Sequence, residues 1–231
     1  MIGPIDLYVG FDAREEIGHH TFVSSVIHHT TTPVRITALG SAPLRNVWRW
    51  GSRDGSNAFT YSRFLVPYLN EFKGWALFCD GADMLVRADL TELWALRDYS
   101  KAVQVVPHDY KTRHPRKYVG TRMEADNRDY PRKNQSSVML INCVHNAWRE
   151  LLPGAVAKLD GAFLHGFRFM QDRHIGELPM VWNWIVDEYG PNEEAKILHW
   201  TAGIPAWPHY SNAPMADEWA RAALNVTHAT L

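Results

Sequence analysis

The sequence WALFCDGADMLV, residues 75–86, contains an apolar run of five residues that leads directly into two carboxylates, Asp80 and Asp83. An unbroken apolar run of this length is typical of a strand that is buried on both faces of a sheet. In open α/β sheets, ligands bind beyond the carboxyl ends of the strands. The stretch therefore predicts a central strand with a polar site at its end.

The residues before this stretch predict a parallel sheet. Residues 5–11 are rich in β-forming apolar residues, residues 13–29 have helical spacing of apolar side chains, and residues 33–39 alternate as a second strand. This order is a βαβ unit, and its two strands must run parallel. Further elements are predicted as strands at 102–107 and 138–143, as helices at 58–69, 89–99 and 147–159, and as a loop at 40–57. We expect a single α/β/α domain over residues 1–231, with a mixed, mainly parallel twisted sheet.

Composition narrows the class of protein. The chain has 231 residues, 46% of them hydrophobic, and a formal net charge of -1, so its total charge does not favour nucleic acid or an anionic membrane. Cys79 and Cys143 both lie in apolar runs, which indicates core residues in a reducing compartment. No signal peptide and no apolar stretch of about 20 residues is present, so we expect a cytoplasmic protein.

The spacing of Asp80 and Asp83 allows two interpretations. Both carboxylates could converge on one hard divalent cation, which prefers oxygen ligands, or they could cap an ordinary turn. His199 also follows an apolar pair and precedes a turn that is rich in Gly and Pro. Its imidazole could complete the shell of the metal, or it could be a packed or surface histidine.

Six segments in this order resemble the retaining glycosyltransferases of family 8, which have the GT-A fold and include glycogenin and bacterial galactosyltransferases. The segments are 5–12, 61–64, 78–86, 136–142, 171–172 and 199–203. The resemblance covers residues 5 to 207 and implies a hexosyltransferase of class EC 2.4. It also implies a nucleotide-sugar donor, with uridine diphosphate as the favoured nucleotide, and an acceptor hydroxyl on a glycan or another molecule.

The resemblance assigns roles to individual residues. Asp80, Asp83 and His199 would hold Mn²⁺ or Mg²⁺ under the diphosphate of the donor. Asp12 would meet the nucleotide base, and Arg63 would reach the donor sugar or phosphate. The other implied donor-binding residues are Phe11, Arg14, Ser137, Trp200 and Gly203. Gln171 and Asp172 would lie near the anomeric carbon as the catalytic pair, where a side-chain oxygen can stabilise an oxocarbenium-like centre.

The sequence departs from the family pattern at three places. The family's carboxylates are separated by one residue and these by two, so Asp80 could contact the ribose while Asp83 alone chelates directly. Ser136 and Ser137 stand where the family commonly has a small residue and Gly. The late Lys-Pro-Trp segment of the family lacks its Lys here, so a basic residue of segment 111–133 could replace that phosphate contact.

Segment 111–133 carries eight basic residues against three acidic ones and has no hydrophobic period. We expect a long mobile loop, and loops of this length in compact domains are usually functional. Its basic residues, with Tyr110, Tyr118 and Tyr130 among them, could bind an anionic acceptor such as a lipopolysaccharide core. They could also bind the backbone of a nucleic acid that carries a modified base.

Two other classes of protein remain open from the sequence. A nucleotidyltransferase that forms nucleotide-sugars uses a similar sheet with a carboxylate pair, although residues 10–14 are a poor match to its Gly-rich phosphate loop. A carbohydrate- or nucleotide-binding module without catalysis would instead use tryptophans as stacking platforms. The candidate platforms are Trp182, Trp184, Trp200 and Trp207.

Overall fold

The fold is built on a mixed six-stranded sheet, seen in a computed structural model that describes residues 3–40, 44–47 and 57–227. The strands are β1 (Ile5–Gly10), β2 (Val34–Leu39), β3 (Trp75–Cys79), β4 (Met84–Val86), β5 (Val103–Val105), β6 (Arg116–Lys117), β7 (Ala125–Asp126), β8 (Val138–Asn142), β9 (Ile175–Glu177), β10 (Trp184–Ile185) and β11 (Ile197–His199). The main sheet has the order β2-β1-β3-β8-β5-β9, and only β8 runs antiparallel to its neighbours. The predicted mixed, mainly parallel sheet is confirmed.

Helices and short 3-10 turns connect these strands. The helices are α1 (Glu16–His29), α2 (Val66–Leu69), α3 (Leu90–Ala95), α4 (Pro153–Val156), α5 (Gly161–His165), α6 (Val186–Tyr189) and α7 (Ala216–Thr227). The 3-10 turns are Ala13–Glu15, Ser62–Leu65, Gln135–Ser137, Asn146–Trp148, Asp172–His174, Met180–Asn183 and Pro208–Tyr210. In the ranges that the structure describes, each helix is too short or too polar to cross a lipid bilayer.

Both faces of the main sheet are buried, as the apolar runs predict. Leu77 and Cys79 of β3 pack on one face, among residues of α1 and α3. Ala76 and Phe78 pack on the opposite face, where residues of α2, α4 and α5 cover them. Successive side chains of a strand point to opposite faces, so one apolar run serves two cores. This arrangement is the predicted α/β/α sandwich.

A second, three-stranded sheet has the order β10-β11-β4 and lies beside the first. β4 follows β3 after a four-residue turn, so residues 80–83 connect the two sheets. β11 pairs with β4 in antiparallel register, and His199 lies opposite Met84. The end of β11 is therefore brought next to the turn that begins at Asp80.

Two glycines allow α1 to pack against this turn. Gly81 has a φ of +81°, a conformation that L residues with a side chain rarely adopt. Gly18 of α1 faces the turn so closely that a Cβ atom would lie 1.9 Å from the carbonyl oxygen of Ala82. The absence of a side chain at Gly18 thus sets the distance between the helix and the turn.

Several predicted helices are wrong in extent. The predicted helix at 147–159 is only the turn Asn146–Trp148 followed by α4, because Pro153 lacks the N–H that a helix interior requires. The predicted helix at 58–69 contains a 3-10 turn and four α-helical residues, and helix 89–99 shortens to α3. Asp89 caps α3 as predicted, with its carboxylate accepting from the N–H of Thr91 at 2.8 Å. Of the predicted loop at 40–57, residues 41–43 and 48–56 lie outside the described residues.

Segment 111–133, predicted as a long mobile loop, contains a short element of regular structure. β6 and β7 pair within it as a two-stranded ribbon. Most of its cations bind carboxylates or carbonyls of this chain: Arg116 pairs with Glu124 and Asp126, Arg128 with Asp126, Lys133 with Asp129, Arg132 with Asp172, and Arg113 with Glu188. These pairs leave less free positive charge than the sequence indicates, and nothing in the described residues supports a nucleic-acid partner.

The packing at Gly18 can be tested by adding one methyl group. We expect Gly18→Ala to lower the free energy of unfolding by about 1–3 kcal/mol, because the new methyl overpacks the turn. Gly154→Ala in α4 is the matched control, since its Cβ would meet nothing within 4 Å. Urea unfolding of both variants measures the difference, and equal stabilities would contradict the assigned contact.

Candidate metal-binding site

Asp80 follows the end of β3, Asp83 precedes β4, and His199 ends β11, and their three side chains meet at one place. One ligand atom of each side chain lies within 4.8 Å of the ligand atoms of the other two. All three residues are buried, with between 1% and 8% of their surface exposed. Buried charged groups are usually paired with an opposite charge or coordinate a metal. The cluster is therefore a candidate metal site.

The register between β4 and β11 brings Asp83 and His199 together. Asp83 immediately precedes β4, and His199 is the last residue of β11. The N–H of Trp200 donates to the carbonyl oxygen of Asp83 at 2.8 Å, which holds the two chain segments side by side. As a result, Nε2 of His199 lies 3.3 Å from Oδ2 of Asp83.

Asp80 forms a buried ion pair with Arg63. Nη1 of Arg63 lies 2.6 Å from Oδ1 of Asp80, and the guanidinium also donates to the carbonyl oxygens of Ser136 and Thr60. Burial raises the pKa of Asp80 to about 6, with Arg63 acting to lower it and Asp83 to raise it. Arg63 therefore lies at the site as predicted, but its guanidinium is engaged in holding Asp80 and two carbonyls.

The imidazole of His199 is held on its other side by Asn183. Nδ1 of His199 lies 2.8 Å from Oδ1 of Asn183, a residue with no exposed surface. Burial alone would lower the pKa of His199, but the adjacent Asp83 carboxylate outweighs burial and raises it. Sequence reasoning missed Asn183, because a lone Asn within an apolar run carries no motif.

The donor set fits a divalent cation. Oδ1 of Asp83 is buried and has no hydrogen-bond partner among the described residues, which leaves a carboxylate oxygen available as a ligand. Two carboxylates and one imidazole suit Mn²⁺ or Mg²⁺, since hard cations take oxygen ligands and Mn²⁺ also accepts nitrogen. The residues present are thus compatible with the metals that the resemblance implies.

A narrow cleft of about 90 Å³ opens over these three residues. Of the residues predicted to bind the donor, Arg63 and Ser137 line it. The remaining lining residues, which the predicted donor and metal sites did not include, are Asn57, Thr60, Lys117, Tyr118, Tyr130, Asn134, Ser136, His165 and Thr201. Most come from segment 111–133 and its neighbours, where no periodic pattern indicated which side chains face inward.

Five predicted donor-binding residues lie outside the lining of this cleft. Asp12 is buried, and its carboxylate accepts from the Arg14 side chain at 2.6 and 2.9 Å and from the N–H of Ala58 at 2.9 Å. Phe11, which precedes it, packs edge-on against His19. In this conformation Asp12 and Arg14 satisfy each other and stabilise the turn after β1.

Trp200 and Gly203 have structural roles in the described chain. Trp200 is fully buried, and its indole N–H donates to the carbonyl oxygen of Pro214 at 2.9 Å. A Cβ at Gly203 would lie 2.2 Å from the ring of Tyr210, so Gly203 allows close packing. Trp182 is also buried, so neither it nor Trp200 can be a stacking platform for a ligand.

The predicted catalytic pair is not among the residues that line the cleft. Gln171 and Asp172 are exposed, and Asp172 pairs with Arg132 at 2.7 Å. They precede β9, which runs in the same direction as β3. They therefore precede the edge of the sheet at which β3 begins, whereas Asp80 follows the edge at which β3 ends. No contact in the described structure links them to the metal ligands, and their catalytic role stays a prediction.

Glu15 is a further buried carboxyl group near the site. Only 1% of its surface is exposed, and its Oε2 has no hydrogen-bond partner among the described residues. Burial raises the pKa of Glu15 well above its ordinary value of 4.5, and the charges of Asp83 and Asp12 raise it further. Burial at this position therefore favours the neutral form of Glu15.

Comparison with solved structures defines the class of fold. The WbbM bifunctional glycosyltransferase superposes with a TM-score of 0.66 at 15% identity, covering 97% of this chain and 50% of that chain. The glycosyltransferase GlyE of Streptococcus pneumoniae TIGR4 gives 0.63 at 15% identity, covering 96% and 61%. The galactosyltransferase LgtC in complex with donor and acceptor sugar analogs gives 0.56 at 12% identity, covering 97% of each chain. The chain thus has the GT-A fold of glycosyltransferases, and it spans half the length of the WbbM chain.

Sequence comparison defines the family. Protein CDI of Arabidopsis thaliana is 37% identical over 224 residues, which cover 94% of this chain and 85% of the relative. The chain belongs to the family of Protein CDI. No protein-family model matches the sequence.

The buried Glu15 predicts a pH-dependent gain in stability for Glu15→Gln. An acid whose pKa is raised by folding binds its proton more tightly in the native state, so native stability falls as pH rises above 4.5. Between pH 5 and pH 8 in chelator, we expect the variant to gain relative to the unaltered protein by up to about 1.4 kcal/mol per pH unit. Urea unfolding across this range measures the gain. The exposed Glu16→Gln control should show no such trend, and a gain independent of pH would refute the raised pKa of Glu15.

Proposed function

We propose that this protein is a metal-dependent glycosyltransferase of the family 8 type, which transfers a hexosyl group from a nucleotide-sugar to an acceptor hydroxyl with retention. The observation that carries the proposal is the group of Asp80, Asp83 and His199 at the carboxyl edge of a GT-A sheet. In this class of fold, that edge is where nucleotide ligands bind. The fold and the ligand set support the same chemistry independently. We treat residues 1–231 as one catalytic domain.

A bound Mn²⁺ or Mg²⁺ would neutralise the diphosphate and stabilise it as a leaving group. Asp83 and His199 would hold the cation directly, because they face each other and Oδ1 of Asp83 lacks a hydrogen-bond partner among the described residues. Asp80 has one oxygen on Arg63, so its second oxygen would serve as the remaining ligand or would bind the ribose. Uridine diphosphate is the favoured nucleotide by resemblance.

Lys117 is positioned to replace the phosphate-binding Lys that segment 203–207 lacks. It is on β6, and it lines the cleft together with the three candidate ligands. It also lines an adjoining cavity of about 200 Å³, which it shares with Tyr130, Asn134 and Thr201. Burial lowers the pKa of Lys117, whereas the negative charges of Asp83 and Asp80 raise it. A diphosphate would add further negative charge at this position and would favour the charged ammonium.

Donor binding requires the ribbon over the cleft to move. A cleft of about 90 Å³ is smaller than the roughly 300–1,000 Å³ of typical ligand sites. Tyr118 lies over the cleft, and its backbone has a φ of +58°. The N–H of Tyr118 donates to the carbonyl oxygen of Ala202. Lys117 and Tyr118 would shift outward to admit the donor. The ribbon would then close over the bound nucleotide.

The acceptor is proposed as a neutral or moderately anionic glycan hydroxyl. The ion pairs within segment 111–133 bind most of the charge that a polyanion would require. The proposal that the anomeric configuration is retained rests on the resemblance to family 8. The anomeric configuration of the first product formed tests it. Proton NMR of that product, recorded before mutarotation, distinguishes retention from inversion.

The proposal is tested by screening nucleotide-sugars with Mn²⁺, Mg²⁺ or chelator. The expected result is a metal-dependent thermal shift with one donor, followed by slow release of the nucleoside diphosphate. A shift with nucleoside triphosphates and release of pyrophosphate would indicate a nucleotidyltransferase instead. Binding of sugars without hydrolysis of any donor would indicate a binding module.

Asp83→Ala should abolish metal-dependent turnover while the fold is retained. We expect a loss of at least about 100-fold in release of nucleoside diphosphate, because a ligand of the metal is removed. The exposed carboxylate of α7, in Asp217→Ala, provides the control and should leave turnover unchanged. Turnover by Asp83→Ala that equals that of the unaltered protein, with or without metal, would refute the assigned ligand.

Lys117→Met should have opposite effects on two ligands. Nucleoside diphosphate should bind about tenfold more weakly, because a charge-assisted contact is lost, while the nucleoside alone should bind as before. Mn²⁺ alone should bind more tightly, because a neighbouring positive charge is removed. Isothermal titration calorimetry measures all three, with the exposed Lys111→Met as control. Unchanged diphosphate affinity in Lys117→Met would exclude the proposed contact.

A further inference from the structure

A buried polar network lies behind His199, on the side away from Asp83. Asn183 ends the 3-10 turn that leads into β10, and Ile185 of β10 pairs with His199 of β11. The side-chain oxygen of Asn183, Oδ1, lies 2.8 Å from Nδ1 of His199. The side-chain nitrogen of Asn183 donates to His108 and to the backbone carbonyl oxygen of Asn134. Both the oxygen and the nitrogen of a buried amide usually have hydrogen-bond partners, since each unpaired group costs about 1–3 kcal/mol.

The orientation of the Asn183 amide follows from its partners. The carbonyl oxygen of Asn134 can only accept, and it lies 3.1 Å from Nδ2 of Asn183. The amide nitrogen must therefore face Asn134, which places Oδ1 against His199. Because Oδ1 can only accept, Nδ1 of His199 must carry a hydrogen. The remaining ring nitrogen, Nε2, is the one that faces Asp83.

His108 accepts the second hydrogen of the Asn183 amide, which supports the same orientation. Its Nε2 lies 3.1 Å from Nδ2 of Asn183, so this nitrogen accepts and the ring is neutral. Nδ1 of His108 then carries its hydrogen and lies 3.3 Å from the hydroxyl oxygen of Tyr189, whose ring stacks on the imidazole. Burial lowers the pKa of His108 to about 3, in agreement with a neutral ring.

We propose that Asn183 is a positioning residue that fixes the ring of His199 with Nε2 directed to the metal. Ligating histidines usually donate their second ring N–H to a carboxylate, a carbonyl or water, and loss of that partner weakens metal binding. Here the partner is a side-chain amide that is itself oriented by Asn134 and His108. The inference rests on the proposed function, since it concerns the metal at His199.

The test measures Mn²⁺ binding to the chelator-stripped protein, without nucleotide, by isothermal titration calorimetry. Asn183→Leu removes the acceptor for Nδ1 and should weaken Mn²⁺ binding by about 10–100-fold. Asn183→Asp keeps an acceptor at the same place but loses the two amide donors. It should bind Mn²⁺ no more than about threefold more weakly than the unaltered protein, because the ring of His199 stays oriented.

Asn142→Leu is the control for a general loss of a buried amide. Asn142 of β8 is 7% exposed, and its amide donates to the carbonyl oxygen of Lys101 at 3.1 Å. Its loss should lower thermal stability but should leave Mn²⁺ affinity unchanged. If Asn183→Leu does not fold, Asn183→Asp still decides, because a role limited to the amide donors predicts a large loss of affinity there.

Each outcome has a defined consequence. Unaltered Mn²⁺ affinity in Asn183→Leu, or equal losses in the Leu and Asp variants, would overturn the positioning role. An unaltered protein that binds Mn²⁺ but turns over no donor would refute the proposed function while leaving the role of Asn183 testable by the same titrations. A protein that binds no Mn²⁺ would overturn both.

Discussion

The antiparallel register between β4 and β11 is the constraint on which the site depends. His199 lies opposite Met84, and the backbone bond from Trp200 to Asp83 fixes this pairing at its end. A slip of one residue would turn every side chain of a strand to the opposite face. It would replace the imidazole beside Asp83 with an apolar side chain and would bury His199 elsewhere. The secondary sheet is small, yet its register determines whether a ligand set exists.

The electrostatics of the site favour a cation. Glu15, Asp80, Asp83 and Asp187 are all buried near one edge of the sheet, and burial is the largest cause of the raised pKa values of Glu15, Asp80 and Asp187. Arg63 compensates one of these carboxylates, and His199 lies against another. Like charges at close range destabilise a fold unless opposite charge is supplied. A divalent cation would supply it, and its binding would then stabilise the native state.

The sequence predicted the parts of the site that follow from strand ends, and it failed where no pattern indicates direction. Asp80 and Asp83 could be placed because they follow an apolar strand, and His199 because it follows another. The burial of the Trp200 ring could not be predicted, since residue type alone does not show whether an aromatic ring faces a ligand or the core. Lys117 was not singled out, because its segment has no period. The predicted helix after residue 147 failed because local breakers at Pro153 outweighed the spacing of its apolar residues.

The two halves of the cleft therefore differ in how firmly they are held. The candidate metal ligands lie on or beside strands of two sheets, where the backbone bonds of both strands fix them. Lys117 lies instead on a ribbon of two residues per strand, which pairs with neither of the two larger sheets among the described residues. Sites on regular elements are more accurately placed than sites on loops. This division would suit the proposed transferase, because its leaving group would need a fixed cation, whereas donor entry and product release would need a cover that opens.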